Sequence, residues 1–285
     1  MILVTGAAGK TGKAVIKALN KKGAAVRAFV RKVDQKKEVE NIGADEVIVG
    51  NMENIKDYQK AISGTRAVYH ICPNMHPDET QIGQNAIESA LNANVEVFGY
   101  HSVLHPQTEK MPHHWQKMRV EEMLFEAGMP YTILQPATYM QNILGAKSSI
   151  LNHGIYRVPY PIETRLSMVD LEDLGEVAAA ILTDDIYSYA IYELVGVNSI
   201  SPSEVAKEVG EQVKSPVKVE SISLQEWEDQ AIESGLGSYQ KDTLKQMFDY
   251  YAKYWFVGNK NVLTWLLGRA PTTFSTFTKR EFMNQ

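Results

Sequence analysis

The first half of the chain alternates short apolar runs with stretches of helical spacing, and this alternation limits the fold more than any other feature. The runs are residues 2–5, 25–30, 46–49, 67–71, 95–100 and 131–134. Several are almost uninterrupted in apolar residues, as expected of parallel strands buried on both faces. Parallel neighbours need long crossovers, and residues 10–22, 36–42, 55–62, 78–92 and 113–127 have the length and spacing to supply them. Several of these helical stretches stop just before a glycine (Gly23, Gly43, Gly64, Gly128), the natural C-terminal stop. Right-handed crossovers then give an α/β fold with a doubly wound parallel sheet of the Rossmann kind.

The second half is less regular. A helix is expected from Asp170 to residue 182, with Asp170 and Asp173 as cap and first-turn charge. A strand at 191–195 precedes Ser201-Pro202, a serine cap followed by proline in the first turn of a helix running to about residue 213. Residues 217–221 read as a strand. Residues 225–267 read as helical and rich in Tyr and Trp. No linker separates the halves. The expected organisation is a nucleotide-binding domain over 1–150 and a smaller α+β lobe over 151–285, partly interleaved with the sheet.

Of the 285 residues, 44% are hydrophobic, enough for a full core, and 22% are charged. A net charge of −5 gives no reason to bind nucleic acid. No apolar stretch reaches the roughly 18 residues of a membrane span. The single cysteine, Cys72, excludes an internal disulfide and points to a reducing, cytoplasmic setting. Nothing suggests an assembly beyond a monomer or homodimer.

The chemistry starts at Thr5-Gly6-Ala7-Ala8-Gly9-Lys10-Thr11-Gly12, which leaves the first strand and opens a helix. Gly6 permits the tight turn, Gly9 lets backbone approach a pyrophosphate, and Gly12 lets the helix pack on the sheet. The helix start offers N–H groups and a positive dipole end to phosphate, with Thr5, Lys10 and Thr11 in the same turn. Gly9-Lys10-Thr11 also ends like a P-loop, but Val4 stands where that motif needs its first glycine. The second strand ends in Arg31-Lys32, with no acid before Asp34. A carboxylate there would hold an NAD ribose, whereas a cation pair suits the 2′-phosphate of NADP(H).

At this point the chain resembles the NmrA-like group of atypical short-chain dehydrogenases/reductases, over nearly its whole length. The resemblance rests on the glycine turn with Arg31, on Gly64-Thr65-Arg66-Ala67-Val68-Tyr69, and on Tyr131-Thr132-Ile133-Leu134-Gln135-Pro136-Ala137-Thr138-Tyr139-Met140-Gln141-Asn142. It continues with Met168-Val169-Asp170-Leu171-Glu172-Asp173-Leu174, then Gly258-Asn259 through Trp265-Leu266-Leu267-Gly268-Arg269. It implies that Gly6, Gly9, Gly12 and Arg31 hold NADP(H), that Cys72, Pro73 and Asn74 border the adenine ribose and phosphates, and that Lys117 lies near the nicotinamide ribose. Tyr139 and Asn142 would belong to the substrate pocket.

Two positions depart from the pattern. Asn51 replaces the acid expected beside adenine, and its carboxamide oxygen can accept from the adenine amino group. His113 stands four residues before Lys117, where ordinary short-chain dehydrogenases carry the tyrosine of Tyr-x-x-x-Lys. With that tyrosine absent, Lys117, His113 and His101 are the candidate catalytic residues, imidazole being the group that titrates near neutrality. His101-Ser102 ends the fifth strand, at the sheet edge where ligands sit, and reads either as pocket lining or as a cap. His101, His105, His113 and His114 show no known metal-ligand spacing, so no metal is expected. Three functions are compatible with this pattern. They are an NADPH-dependent reductase of a small, flat, electron-poor compound such as a quinone, an NADP(H)-sensing regulator with little turnover, and a sugar-nucleotide epimerase-like enzyme.

Overall fold

The computed structural model describes residues 1–283. Strands β1 (Ile2–Val4), β2 (Val26–Val30), β3 (Glu46–Val49), β4 (Ala67–His70), β5 (Val97–His101) and β6 (Tyr131–Pro136) alternate with helices α1 (Lys10–Lys21), α2 (Lys36–Glu40), α3 (Ile55–Ile62), α4 (Glu79–Asn92) and α5 (Pro112–Glu126). Next come β7 (Thr138–Tyr139), α6 (Lys147–His153), β8 (Ile155–Val158), β9 (Leu166–Val169), α7 (Leu171–Thr183) and β10 (Ala190–Leu194). The chain finishes with β11 (Val197–Ile200), α8 (Pro202–Val213), β12 (Lys218–Ser221), α9 (Leu224–Glu233), α10 (Ser238–Tyr254), α11 (Asn261–Leu267) and α12 (Phe274–Met283).

The main sheet has the order β10-β6-β5-β4-β1-β2-β3. Strands β1 to β6 pair parallel throughout, with β1 between β2 and β4. The strand order reverses at β1, and the crevice at the carboxyl ends of β1 and β4 is where such sheets take ligands. The expected doubly wound Rossmann sheet is therefore present. Its core joins Leu3, Phe29, Val68, Phe98 and Ile133 from the strands to Tyr58, Ile87, Val120 and Leu124 from the helices.

The chain divides into two compact units, one of residues 1–136 with 171–192 and one of residues 137–170 with 193–285. The division thus falls at Pro136 rather than near residue 150, and α7 returns to the first unit. The physical reason is helix packing. Gly175 of α7 has no side chain to keep it from α1, and a Cβ there would stand 2.7 Å from the Ala14 carbonyl oxygen. In the second unit β7 and β11 flank β9, and β12 pairs with β8. Its core includes Met140, Ile143, Ile200, Val209, Phe274 and Phe277. Asp170, expected as a helix cap, directly precedes α7 and is fully buried. Arg280 donates to both of its oxygens at 2.9 and 3.1 Å, and Gln141 donates at 2.6 Å. The stretch read as one helical region over 225–267 is three helices, broken at Gly235 and Gly237 and again at residues 255–260. Among the described residues, no helix is long and apolar enough to cross a membrane.

Candidate functional site

The glycine turn has the local geometry its spacing predicts. Gly6 takes φ +56°, a left-handed conformation that side chains resist. Gly12 packs straight onto the turn, where a Cβ would come 2.5 Å from the Gly6 carbonyl oxygen. Gly9 is the exposed N-cap of α1; its side contributes no capping group and the first helical turn carries no acid. A Cβ on Gly9 would meet only the Gly6 oxygen, at 3.1 Å. The mouth of the turn is therefore open backbone at a positive helix end, a cradle for an anion that a side chain would fill. Thr5 is buried. Its hydroxyl donates to the Ile71 carbonyl at 3.0 Å and accepts from the Ile71 amide at 2.8 Å, stitching β1 to the end of β4. Thr11 is buried and Lys10 exposed.

Arg31 and Lys32 are exposed at the end of β2. Their amides both donate to the Gln35 side-chain oxygen, at 3.1 and 2.9 Å, so a glutamine braces the loop that carries both cations. Asn51 is half-buried. Its side-chain oxygen accepts from the Glu53 amide at 3.2 Å, and its own amide donates to Asp57 at 2.9 Å. The carboxamide oxygen expected to read adenine is thus already shaping its own loop. Cys72 is buried, and burial, then the nearby Glu79 carboxylate, push its thiol well above the usual range, so it is held neutral. Pro73 is half-buried and Asn74 exposed just beyond it.

The carboxyl ends of β4 and β5 hold a polar network beneath this edge. The Tyr69 hydroxyl and the His101 Nδ1 lie 2.8 Å apart. Lys117 donates to the His101 carbonyl at 3.2 Å and to the Glu79 carboxylate at 2.5 Å. The Tyr100 hydroxyl donates to the same Glu79 oxygen at 3.3 Å. Ser102, which follows β5, is buried and donates to Glu121, and Gln135 donates to both Glu121 oxygens at 3.0 Å. Burial raises the Glu121 carboxyl above its ordinary range.

The buried histidines of this edge are held neutral. Burial, helped by the Lys117 cation, pushes His101 down to about 3. Burial, then His114 and Lys117, push His113 down to about 2. Neither ring carries an imidazolium proton near neutrality, which removes the charged form of the acid expected of them. The His113 and His114 ring centroids lie 4.4 Å apart, and Nδ1 of His114 lies 3.1 Å from the His105 carbonyl oxygen.

The structure therefore brings Thr5, Gly6, Gly9, Gly12, Cys72, His101 and Ser102 to strand ends and helix starts of one unit, with Lys117 inside α5 of the same unit. Tyr139 lies half-buried in β7 and Asn142 lies exposed after it, both in the second unit. Sequence reasoning missed Glu79, Glu121 and Tyr69. A glutamate opening a helix reads as a solvated first-turn charge, and nothing local reveals that Glu79 is 1% exposed.

A family model described as the NmrA-like family matches residues 1–277. The NAD(P)H azoreductase of Xenophilus azovorans is 25% identical over 281 residues, covering 98% of this chain and 97% of its own length. An Escherichia coli NADPH-dependent quinone oxidoreductase, solved in complex with NADPH, superposes with a TM-score of 0.85 at 23% identity, covering 99% of this chain and 100% of that one. The Citrobacter sp. triphenylmethane reductase complexed with NADP(H) gives a TM-score of 0.85 at 23% identity over 98% of this chain and 99% of that one. The glycine turn, the order of the strands and the match over nearly all of its length place the chain in the NmrA-like family.

Proposed function

We propose that this protein is an NADPH-dependent reductase of a small, flat, electron-poor compound such as a quinone, acting in the cytoplasm as a monomer or homodimer. The observation that carries the reading is the open glycine cradle at the start of α1, with Arg31 and Lys32 braced at the end of β2. Relatives named for azo, quinone and triphenylmethane reduction support the class of acceptor.

In this reading Gly6, Gly9 and Gly12 let the backbone reach the pyrophosphate, beside Thr5, Lys10 and Thr11. Arg31 pairs with the 2′-phosphate, where a planar guanidinium forms paired charge-assisted bonds. Asn51, Cys72, Pro73 and Asn74 border the adenine half; Ser102 and Lys117 border the nicotinamide ribose. His101 is the candidate substrate contact of the first unit; Tyr139 and Asn142 are the candidate substrate residues of the second, taken by itself. When bound, the cofactor supplies the hydride. The protein holds the cofactor and leaves the His101 and His113 rings uncharged. With His113 neutral in place of a tyrosine, an acceptor that takes hydride with little proton assistance fits better than a simple ketone.

The test mixes purified protein with NADPH and a panel of quinones and follows the nicotinamide absorbance. Enzyme-dependent loss supports the reductase. Tight NADPH binding with no loss across the panel replaces it with the sensing role.

A further inference from the structure

We propose that Glu79 is a positioning residue for Lys117, fixing the lysine ammonium for the nicotinamide ribose of the cofactor; this inference rests on the reductase reading above.

Glu79 opens α4 and is almost fully buried, and Lys117 reaches it from α5 with a side chain only 14% exposed. Burying either charge without the other would carry the full desolvation cost, so the pair is a unit. Its geometry is lopsided. Both the Lys117 ammonium and the Tyr100 hydroxyl donate to Oε1, while the buried Oε2 has no hydrogen-bond partner. A pair serving only to fasten α4 to α5 would do as well as two apolar side chains, which avoid the desolvation cost. This pair instead holds a cation at a defined point, 3.2 Å from the His101 carbonyl at the end of β5 and 5.6 Å from the centre of the Tyr100 ring.

The other groups facing this cation are held neutral or lie further along its own helix. Burial and Lys117 depress His70 and His101. His113 and His114, on the same helix, are depressed as well. The Cys72 thiol and the Tyr100 phenol are pushed up, so both keep their protons. Glu121, one turn along α5, is occupied by Ser102 and Gln135. Glu79 is thus a carboxylate in direct contact with Lys117. Where the ordinary enzymes couple the lysine to a tyrosine on its own helix, this chain has His113, and the coupling passes to a carboxylate on the neighbouring helix.

The experiment measures, by calorimetry, the affinity for NADPH and for adenosine 2′,5′-bisphosphate, which keeps the adenine end but lacks the nicotinamide ribose. The readout is the ratio of the two affinities. Removing a carboxylate makes the region more positive for both ligands, and that effect largely cancels in the ratio. Glu79→Gln is expected to lower the ratio about tenfold, the value of one charge-assisted hydrogen bond. Lys117→Met should lower it similarly, and the double variant no further. An unchanged ratio in Glu79→Gln, or a second full loss when it is added to Lys117→Met, overturns the proposal. If Glu79→Gln does not fold, Glu79→Asp keeps the charge but draws it back by one methylene, and an unchanged ratio there overturns the proposal equally. Wild-type protein that binds the bisphosphate and NADPH equally well, while still oxidising NADPH with a quinone, refutes the positioning role and leaves the reductase standing. Wild-type protein that binds neither ligand removes the cofactor reading and this inference with it.

Discussion

Gly9 and Gly12 differ by three positions and should fail in opposite ways when replaced by alanine. At Gly12 the added Cβ would lie 2.5 Å from the Gly6 oxygen, 2.7 Å from the Ala7 Cα and 2.9 Å from the Ala7 carbonyl carbon. Real Cβ contacts essentially never fall below 3.0 Å, so the helix start must move by at least 3.0 − 2.5 = 0.5 Å. The obstacle is backbone, which cannot rotate away, so the cost lies at the upper end of the roughly 1–3 kcal/mol of overpacking. Alanine returns up to about 1 kcal/mol of helix propensity. The net loss is about 2 kcal/mol, or roughly 4 °C in melting temperature for a chain this long. At Gly9 the Cβ meets one atom at 3.1 Å and φ is −75°, which alanine adopts freely. A poorer N-cap and a shift of a few tenths of an ångström at the Gly6 oxygen remain, together about 0.5–1 kcal/mol, so the melting temperature should move by roughly 1–2 °C. The Gly9 methyl would, however, stand in the mouth of the cradle and weaken NADPH at least about tenfold. Thermal melts with and without NADPH distinguish the two. Equal melting of Gly12→Ala and wild type would refute the packing argument. Unchanged NADPH stabilisation of Gly9→Ala would refute the cradle.

Three further outcomes are expected. Arg31→Asp should weaken NADPH by about 2 kcal/mol and leave NADH nearly untouched, since only NADPH carries the 2′-phosphate; equal loss for both in parallel titrations would remove the guanidinium from that role. His70, His101, His113 and His114 have folded pKa values pushed down to about 3, 3, 2 and 4, below the ordinary 6.5. The unfolded chain therefore takes up protons first, so stability is full well above about pH 6.5 and drains as pH falls through the folded values at about 4 to 2, at up to about 1.4 kcal/mol per pH unit for each ring. Urea unfolding at pH 7.5 and 5.5 measures this loss, and His113→Gln should shrink it by one ring's share. Arg280→Ala strands the buried Asp170 charge and should cost about 3 kcal/mol in chemical denaturation. A loss under about 1 kcal/mol would refute the claim that Arg280 sustains the carboxylate.

What the sequence revealed was what neighbours in the chain decide. The strand, turn and helix from Ile2 to Lys21 are set by their own residues: apolar run, spaced glycines, apolar stripe. Helix stops at Gly23, Gly64 and Gly128 were legible for the same reason, since each takes a positive φ. The fifth strand begins at Val97 rather than at residue 95, because Asn94 turns at φ +50° and the Val95 amide still donates to the Ala90 carbonyl at the end of α4, at 3.1 Å. The short strands of the second unit were not legible. Thr138–Tyr139 is a strand only because Leu166–Val169 lies beside it, and two residues carry no period. Distance in sequence hid the site chemistry as well. Glu79 and Lys117 are 38 positions apart, and Asp170 and Arg280 are 110 apart. Each acid looks like an ordinary helix-start charge until the far partner arrives.

That α7 belongs with the first unit has a consequence for biosynthesis. A ribosome that has just released residue 136 has made six strands but not the helix that covers α1. The missing piece ends at residue 192, which is 192 − 136 = 56 residues later, roughly 3–11 s at ordinary translation speeds. During that interval the flank of α1 that packs on α7 has no native cover. A fragment ending at residue 150 would be trapped in that condition permanently. Minimal versions of this nucleotide-binding unit must therefore keep residues 171–192 or supply an equivalent helix.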